Sequence, residues 1–383
     1  MSFDFKDFGA AGTGTVDEYA AWTRAYAALQ PGDTLYISRG LYRFDTRLIV
    51  DKNINIQMDP GALLVPNVGT NDFLTLNSGT GFSYYNRWQV YVVGFVTGGV
   101  ASCANAVVLN RPMLSDFDIH VQTPASGYGV IVNGGILNRF SITESINAPY
   151  PGMTANVGPT NNLLVRKHPS GGYPVNACRF YVRIEGGGVG VRQEAHAMEG
   201  NNTYSGSIEG TTGQPFYAKD SAPICVRDMH FESSTPAPSG PVEIENCNAA
   251  MIGPNVNIAG TGNGGKLKIT NAPGVVIDGV TLDSLEIDST SVATQVRRIE
   301  WDLSGSGSIT DNGIGTLWLG AIRQTGNAPR TGLGLQAYTF AQLGTAINGT
   351  ICYVTNGTPG SNPLTGTGTG CLAIRQNGVW RGL

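Results

Sequence analysis

"IDGVTL", residues 277–282, carries the decisive pattern. Ile277, Val280 and Leu282 are apolar; two free positions separate the first pair and one separates the second. A spacing of two is that of a strand with one buried face. The two-residue gap marks a corner, where the chain bends without leaving its core. Gly279 suits that bend, because glycine accepts the backbone angles it requires.

The same pattern recurs along the chain. It reads "LSDFDI" from Leu114, "LNRFSI" from Leu137, "ACRFYV" from Ala177, "VRDMHF" from Val226 and "VRRIEW" from Val296. A copy with one extra residue, "IGPNVNI", starts at Ile252. Successive copies begin 23, 26 or 25 residues apart, and the gaps of 40 and 49 around Ala177 allow one coil with a long loop and then two coils. A chain that returns every two dozen residues is a coil, and stacked coils pair their strands in parallel, ~4.8 Å apart. The first, fourth and sixth residues of each copy are expected to face one continuous core. The fold class is therefore all-β, a right-handed single-stranded parallel β-helix.

A solenoid exposes its core at its ends and needs a cap. "FKDFGAAGTGTVDEYAAW", residues 5–22, and the residues that follow offer one. Asp17–Leu29 shows the chain's convincing helical period, with Tyr19, Trp22 and Tyr26 on one face. Thr15 and Glu18 are spaced as a capping box, and Pro31-Gly32 ends the helix.

The segment "FKDFGAAGTGTVDEYAAW … PGDTLYISRGLYRF … KNINIQMDPGALL" resembles the N-terminal signature of the pectate-lyase-like β-helix superfamily, as found in phage tailspikes. The family's DFGA-type turn, short helix and "G-G-x-(V/L)-Y-(I/V)-P-x-G-x-Y" strand correspond to Asp7–Ala10, Asp17–Leu29 and Gly32–Tyr42, with Arg39 as a departure. The resemblance covers about the first 65 residues; later coils agree in pattern only. It implies the fold and says little of activity, since this fold hosts lyases, hydrolases, epimerases and inert receptors.

Composition agrees with many short strands and tight turns: 53 glycines in 383 residues and 14% charged residues. A net charge of −4 lacks the basic footprint of a nucleic-acid binder. The chain has no apolar run long enough to span a bilayer, so no membrane insertion is expected. The opening residues lack the charged-then-apolar pattern of a secretory leader. That leaves a cytoplasmic chain, another exit route or a mature fragment. The six cysteines show no zinc spacing and read as buried free thiols, with Cys352–Cys371 as the alternative disulfide. No cofactor and no metal are called for.

Three regions follow. Residues 1–45 are the cap and first strand, 46–325 the β-helix, and 326–383 a linker and C-terminal β module. The module holds two strand runs and the hairpin signal Asn377-Gly378, and looks like the short terminal modules of phage tail proteins.

Functional groups on a β-helix point outward. Glu185, Glu209 and Glu232 are 24 and 23 residues apart, one coil each, and are expected to stack in a column. Two carboxylates flanking a glycosidic bond are what hydrolysis requires, and stacked like charges push one pKa up. The alternative chemistry, β-elimination from a uronic acid, needs a base and cations for the sugar carboxylate. Arg183, Arg192, His196, Arg227 and His230 are candidates for those parts, with Glu194 and Asp228 beside them. The bland alternative has Glu209 and Glu232 bonding backbone amides of the next coil. Glu209, Glu232, His230 and Arg183 are the catalytic candidates.

The stretch 145–176, with Tyr150, Lys167 and Tyr173, reads as a long excursion forming a substrate wall. Asp116, Asp118 and His120 form an acidic patch for a cation or sugar, with a solvated face as the default. The expected function is a phage-type depolymerase of a bacterial capsule, exopolysaccharide or O-antigen, located in the virion tail. Its expected partners are that polysaccharide, two further copies in a homotrimer, and a phage tail or baseplate protein. A non-catalytic receptor-binding tail protein and a cellular pectin- or alginate-type lyase are the alternatives.

Overall fold

The computed structural model describes residues 1–96, 99–100, 102–145, 158–171, 173–194, 201–221, 223–232, 238–260, 265–302, 308–319, 322–325, 337–338, 351–354, 357–361, 363–368, 371–376 and 379–382. They fall into two units, Met1–Pro329 and Arg330–Leu383. The first is a right-handed parallel β-helix.

Each coil lays down a strand on a first sheet, turns a corner to a second sheet and, in the middle coils, touches a short third sheet before returning. Asp116–Gln122, Tyr128–Asn133 and Gly135–Ile136 make one such circuit, and Arg139–Ser145 begins the next. Among the described residues the three sheets hold 18, 11 and 4 strands. Arg139–Ser145 pairs directly with Arg179–Glu185, so the gap of 40 residues is one coil. Two coils separate the latter from Ile224–Glu232, with Asn202–Glu209 between them.

One hydrophobic cluster runs through this unit from Phe5 to Ile299. Behind the first sheet, Trp88, Phe117, Phe140, Phe180 and Tyr204 occupy successive coils in register. The Phe117–Phe140, Phe140–Phe180 and Phe180–Tyr204 rings are stacked at centroid distances of 5.3, 4.6 and 4.8 Å. Offset stacking of this kind adds to what burial of each ring contributes.

This register corrects the sequence pattern. Leu114, Leu137 and Ala177 are not core residues of their coils. They sit at left-handed corners, with φ of 52°, 58° and 53°, and Leu114 and Leu137 are 40% and 52% exposed. The backbone N–H groups of Leu114 and Leu137 donate to Ile136 and Asn176 of the next coil, and this ladder holds the corner. In the later copies the first apolar residue is buried: Val226, Ile252 and Ile277 continue the Phe180–Tyr204 column. The residues between the first two apolar positions, two after Val226 and Ile277 and three after Ile252, bend the chain at Asp228, Gly279 and Asn255, whose φ values are 48°, 67° and 56°. One apolar spacing thus encodes two different bends.

The cap helix spans Tyr19–Ala28. Trp22 is buried against Phe5 and Phe44 at ring distances of 6.3 and 6.2 Å. Tyr19 is 37% exposed and lies off the covering face. The capping box does not form. Glu18 is the N-cap and makes no side-chain cap bond; its buried carboxylate instead accepts the Ala11 and Gly12 N–H groups. Asp17 accepts the N–H of Tyr19 in its place. The glycine-rich opening therefore folds around an acid at the foot of the helix.

Cys103, Cys178, Cys225, Cys247 and Cys371 are free thiols. In the second unit, Ile351–Val354, Cys371–Gln376 and Val379–Gly382 pair antiparallel around Val354, Leu364, Cys371 and Ala373. Asn377-Gly378 and the linker 326–334 lie outside the described residues.

Candidate functional site

Strand Arg179–Glu185 alternates exposed and buried residues without interruption, so Arg179, Tyr181, Arg183 and Glu185 project outward from the first sheet. The next coil sets Ser207 beside Arg183 and Glu209 beside Glu185. The coil after that sets His230 beside Ser207 and Glu232 beside Glu209. The result is a patch of two columns: Arg183–Ser207–His230 and Glu185–Glu209–Glu232. Neighbours in a column are ~4.8 Å apart at the backbone.

Within the patch, His230 Nε2 lies 3.2 Å from Glu232 Oε2. On the other side of the ring, Asn257 Nδ2 donates to His230 Nδ1 at 3.3 Å. With Nδ1 accepting, the neutral ring carries its proton on Nε2, toward Glu232. Ser145 Oγ donates to Glu185 at 3.3 Å. No backbone amide bonds the side chain of Glu209 or Glu232 among the described residues, contrary to the bland alternative for these two acids.

The same sheet face carries a groove of about 960 Å³ along the earlier half of its strands. It is lined from Asn55 and Gln57 through Arg87, Asp116, Asp118, Arg139, Arg179 and Tyr181 to Ser205, Arg227 and Asp228. Arg183, Ser207 and His230 follow these lining residues on the same strands, about 7 Å further along for each two residues. Groove and patch are therefore continuous.

Ion pairing sets the charges within the groove. Arg139 donates twice to Asp116, at 2.6 and 2.9 Å, and these bonds hold the Asp116 carboxyl below its usual range. Asn255 donates to Asp228 across one coil at 2.9 Å. His120 stands against Tyr91, with ring centroids 5.9 Å apart. Desolvation lowers the His120 pKa; the Asp118 charge opposes this and the Arg183 charge adds to it.

Other candidates lie elsewhere. Arg192 and Glu194 are outward, but on the second sheet, in strand Val191–Glu194. They pair with each other at 2.7 Å, and Arg192 lies over the ring of Tyr217. The turn Gly186–Gly190 carries the chain around a corner before them, which separates them from Arg183. The stretch 145–176 is not one excursion. Asn161–Arg166 is a second-sheet strand with Leu163 and Val165 in the core, and Val175–Asn176 belongs to the third sheet. Lys167 and Tyr173 lie on the turn between those strands, away from the first-sheet patch. Tyr173 rests against Phe82 at 4.9 Å, in a tyrosine-rich cluster with Tyr84. Tyr150 and His196 lie outside the described residues.

Sequence reading singled out Asp116, but not Arg87, Arg139 and Arg179, which stand in one row with it. Each of these four opens the first-sheet strand of its coil. Asn246 forms a ladder, donating to Asp220 at 2.8 Å and accepting from Asn271 at 2.6 Å.

The geometry defines a parallel β-helix with an open groove and an acid–base patch on one face. Among solved structures, ORF18 of Geobacillus virus E2 is similar at 11% identity with a TM-score of 0.54, covering 100% of this chain and 76% of that one. The Dettilon tailspike protein is similar at 12% identity and a TM-score of 0.48, over 85% of this chain and 68% of that one. DFA-IIIase from Arthrobacter chlorophenolicus A6 gives 11% and 0.49, over 85% and 99%. At these identities the first likeness shows the shared fold. No protein-family model matches the sequence, and no curated protein sequence does.

Proposed function

We propose that this chain is a phage tail depolymerase that binds and cleaves a bacterial capsule, exopolysaccharide or O-antigen on the outer face of the first sheet. One observation carries the reading: Glu209 stands in register between Glu185 and Glu232, beside a groove of about 960 Å³. A β-helix has no need of three stacked carboxylates, because like charges in adjacent strands repel. A glycoside hydrolase needs two.

In hydrolysis one carboxylic acid of the column protonates the leaving glycosidic oxygen. Its partner attacks the anomeric carbon or activates the water that does. Neighbouring acids, ~5 Å apart, match a retaining pair, and Glu185 with Glu232, two coils apart, match an inverting pair. His230 orients Glu232 and is itself held by Asn257.

A second reading, β-elimination, has its own support in the column Arg183–Ser207–His230. There His230 takes the proton next to the sugar carboxylate on Nδ1, in place of the bond from Asn257; the C–O bond to the leaving sugar breaks, its oxygen takes a proton from water, and Arg183 neutralises the sugar carboxylate. Incubation with a panel of bacterial polysaccharides separates the readings. New reducing ends without ultraviolet absorbance of an unsaturated sugar mean hydrolysis; both signals mean elimination. Binding without either means a receptor-binding protein.

The proposal extends to assembly. The chain works as a homotrimer in the virion tail, attached through a tail or baseplate protein, with residues 326–383 as its trimerisation or tip module. A short hairpin module needs neighbours to bury its apolar residues.

A further inference from the structure

Four charge pairs are closed on the second sheet. Lys219 bonds Glu245 at 2.7 Å, Lys268 bonds Glu243 at 2.9 Å, Lys266 bonds Glu286, and Arg192 bonds Glu194. Strand Arg179–Glu185 of the first sheet departs from this. Arg179 has Arg139 on one side and Thr203 on the other, and Arg139 is already spent on Asp116. Arg183 has Thr143 and Ser207. Neither guanidinium makes a hydrogen bond or ion pair among the described residues. Arg139 and Arg179 are stacked directly, and Asp116, the acid that pairs with Arg139, lies on the far side of Arg139 from Arg179, so the Arg179 end of the row carries uncompensated positive charge, which costs free energy until an anion arrives.

Tyr181 lies between them, 50% exposed and flanked in register by Ser141 and Ser205. Small neighbours on both sides leave the faces of its ring open. Arg179, Tyr181 and Arg183 thus present cation, aromatic face and cation at intervals of about 7 Å along one strand. The cations are planar donors that suit a carboxylate.

We propose that Arg179, Tyr181 and Arg183 form a subsite for an acidic sugar, so that the polysaccharide held in the groove is carboxylate-bearing. The inference rests on the reading of this face as a polysaccharide site. The sugar ring stacks on Tyr181 and its carboxylate takes a charge-assisted bond from Arg179 or Arg183.

The test measures binding of the full chain to purified capsular polysaccharides, both uronate-containing and neutral. The best binder is then measured again after chemical reduction of its carboxyl groups to alcohols. The proposal expects an acidic best binder, about 10- to 100-fold weaker binding after reduction, and a similar loss in Arg179→Gln and Arg183→Gln. Arg47→Gln, at an exposed arginine outside the groove, is expected to bind normally. Circular dichroism confirms that each variant is folded. A neutral best binder, or an acidic one unaffected by reduction, overturns the acidic subsite and leaves the polysaccharide site standing. Binding to no member of the panel overturns both.

Discussion

Glu209 and Glu232 are direct partners in the parallel ladder of the first sheet, one coil apart, with His230 hydrogen-bonded to the second of them. The outward column to which they belong continues to Glu185.

The cap is expected to be indispensable. Trp22 seals the first coil against Phe5 and Phe44, and Trp22→Asp places an unpaired charge there and removes a large ring. A loss of about 4 kcal/mol or more is expected, read as aggregation and a sharply lower melting temperature. A soluble variant with unchanged melting would show that the helix is not the cap.

The carboxylate column was legible because a coil of constant length converts sequence spacing into adjacency: Glu185, Glu209 and Glu232 recur one coil apart. The Arg87–Asp116–Arg139–Arg179 row was not legible, because loops of unequal length fall between its members. Arg192 and Glu194 look like neighbours of Arg183 along the sequence, but the corner at Gly186–Gly190 sends them to another sheet. Leu114 and Leu137 look like core because they are apolar; their left-handed corner conformation is decided by the ladder to the next coil, which a local pattern does not contain. The cap helix was legible from its period, whereas Glu18 was drawn from the expected box to the N–H groups of Ala11 and Gly12, a tertiary contact.

Stability is expected to fall as pH rises, through Glu144. This side chain is fully buried in a core column between Val121 and Ile184 and has no hydrogen-bond partner among the described residues. Desolvation raises its pKa well above the ordinary carboxyl value, so the folded state holds a proton that the unfolded state releases. The stabilising contribution is complete below the unfolded-state pKa, about 4.3, and is lost as pH rises through the folded-state value. The melting temperature is therefore expected to decrease as pH rises above the unfolded-state carboxyl pKa, and Glu144→Leu to flatten that profile and raise stability by about 1–3 kcal/mol. An unchanged slope in the variant would assign the dependence to another group.

Gly206 is expected to tolerate no side chain. Its φ is 119°, and a Cβ there would approach the carbonyl oxygen of Val182 to 1.9 Å. Gly206→Ala is expected to cost about 2–4 kcal/mol, measured by denaturant unfolding, because backbone at the end of the groove must move. A variant as stable as the parent would show that the backbone at Gly206 is free to relax.

The proposed assembly is checked by multi-angle light scattering at micromolar concentration. Three times the 40.3 kDa chain mass is expected, and a monomer mass contradicts the trimer.

The central claim is that the acid–base patch beside the groove cleaves polysaccharide. Its most direct test is kcat on a cleavable bacterial polysaccharide for Glu209→Gln, Glu232→Gln, Arg183→Ala and His230→Ala, each shown to be folded. Loss of several orders of magnitude confined to the two glutamate variants is the result predicted for hydrolysis. The same loss confined to Arg183→Ala and His230→Ala assigns elimination to the same patch. Full activity in all four would contradict the account and place the chemistry on another surface.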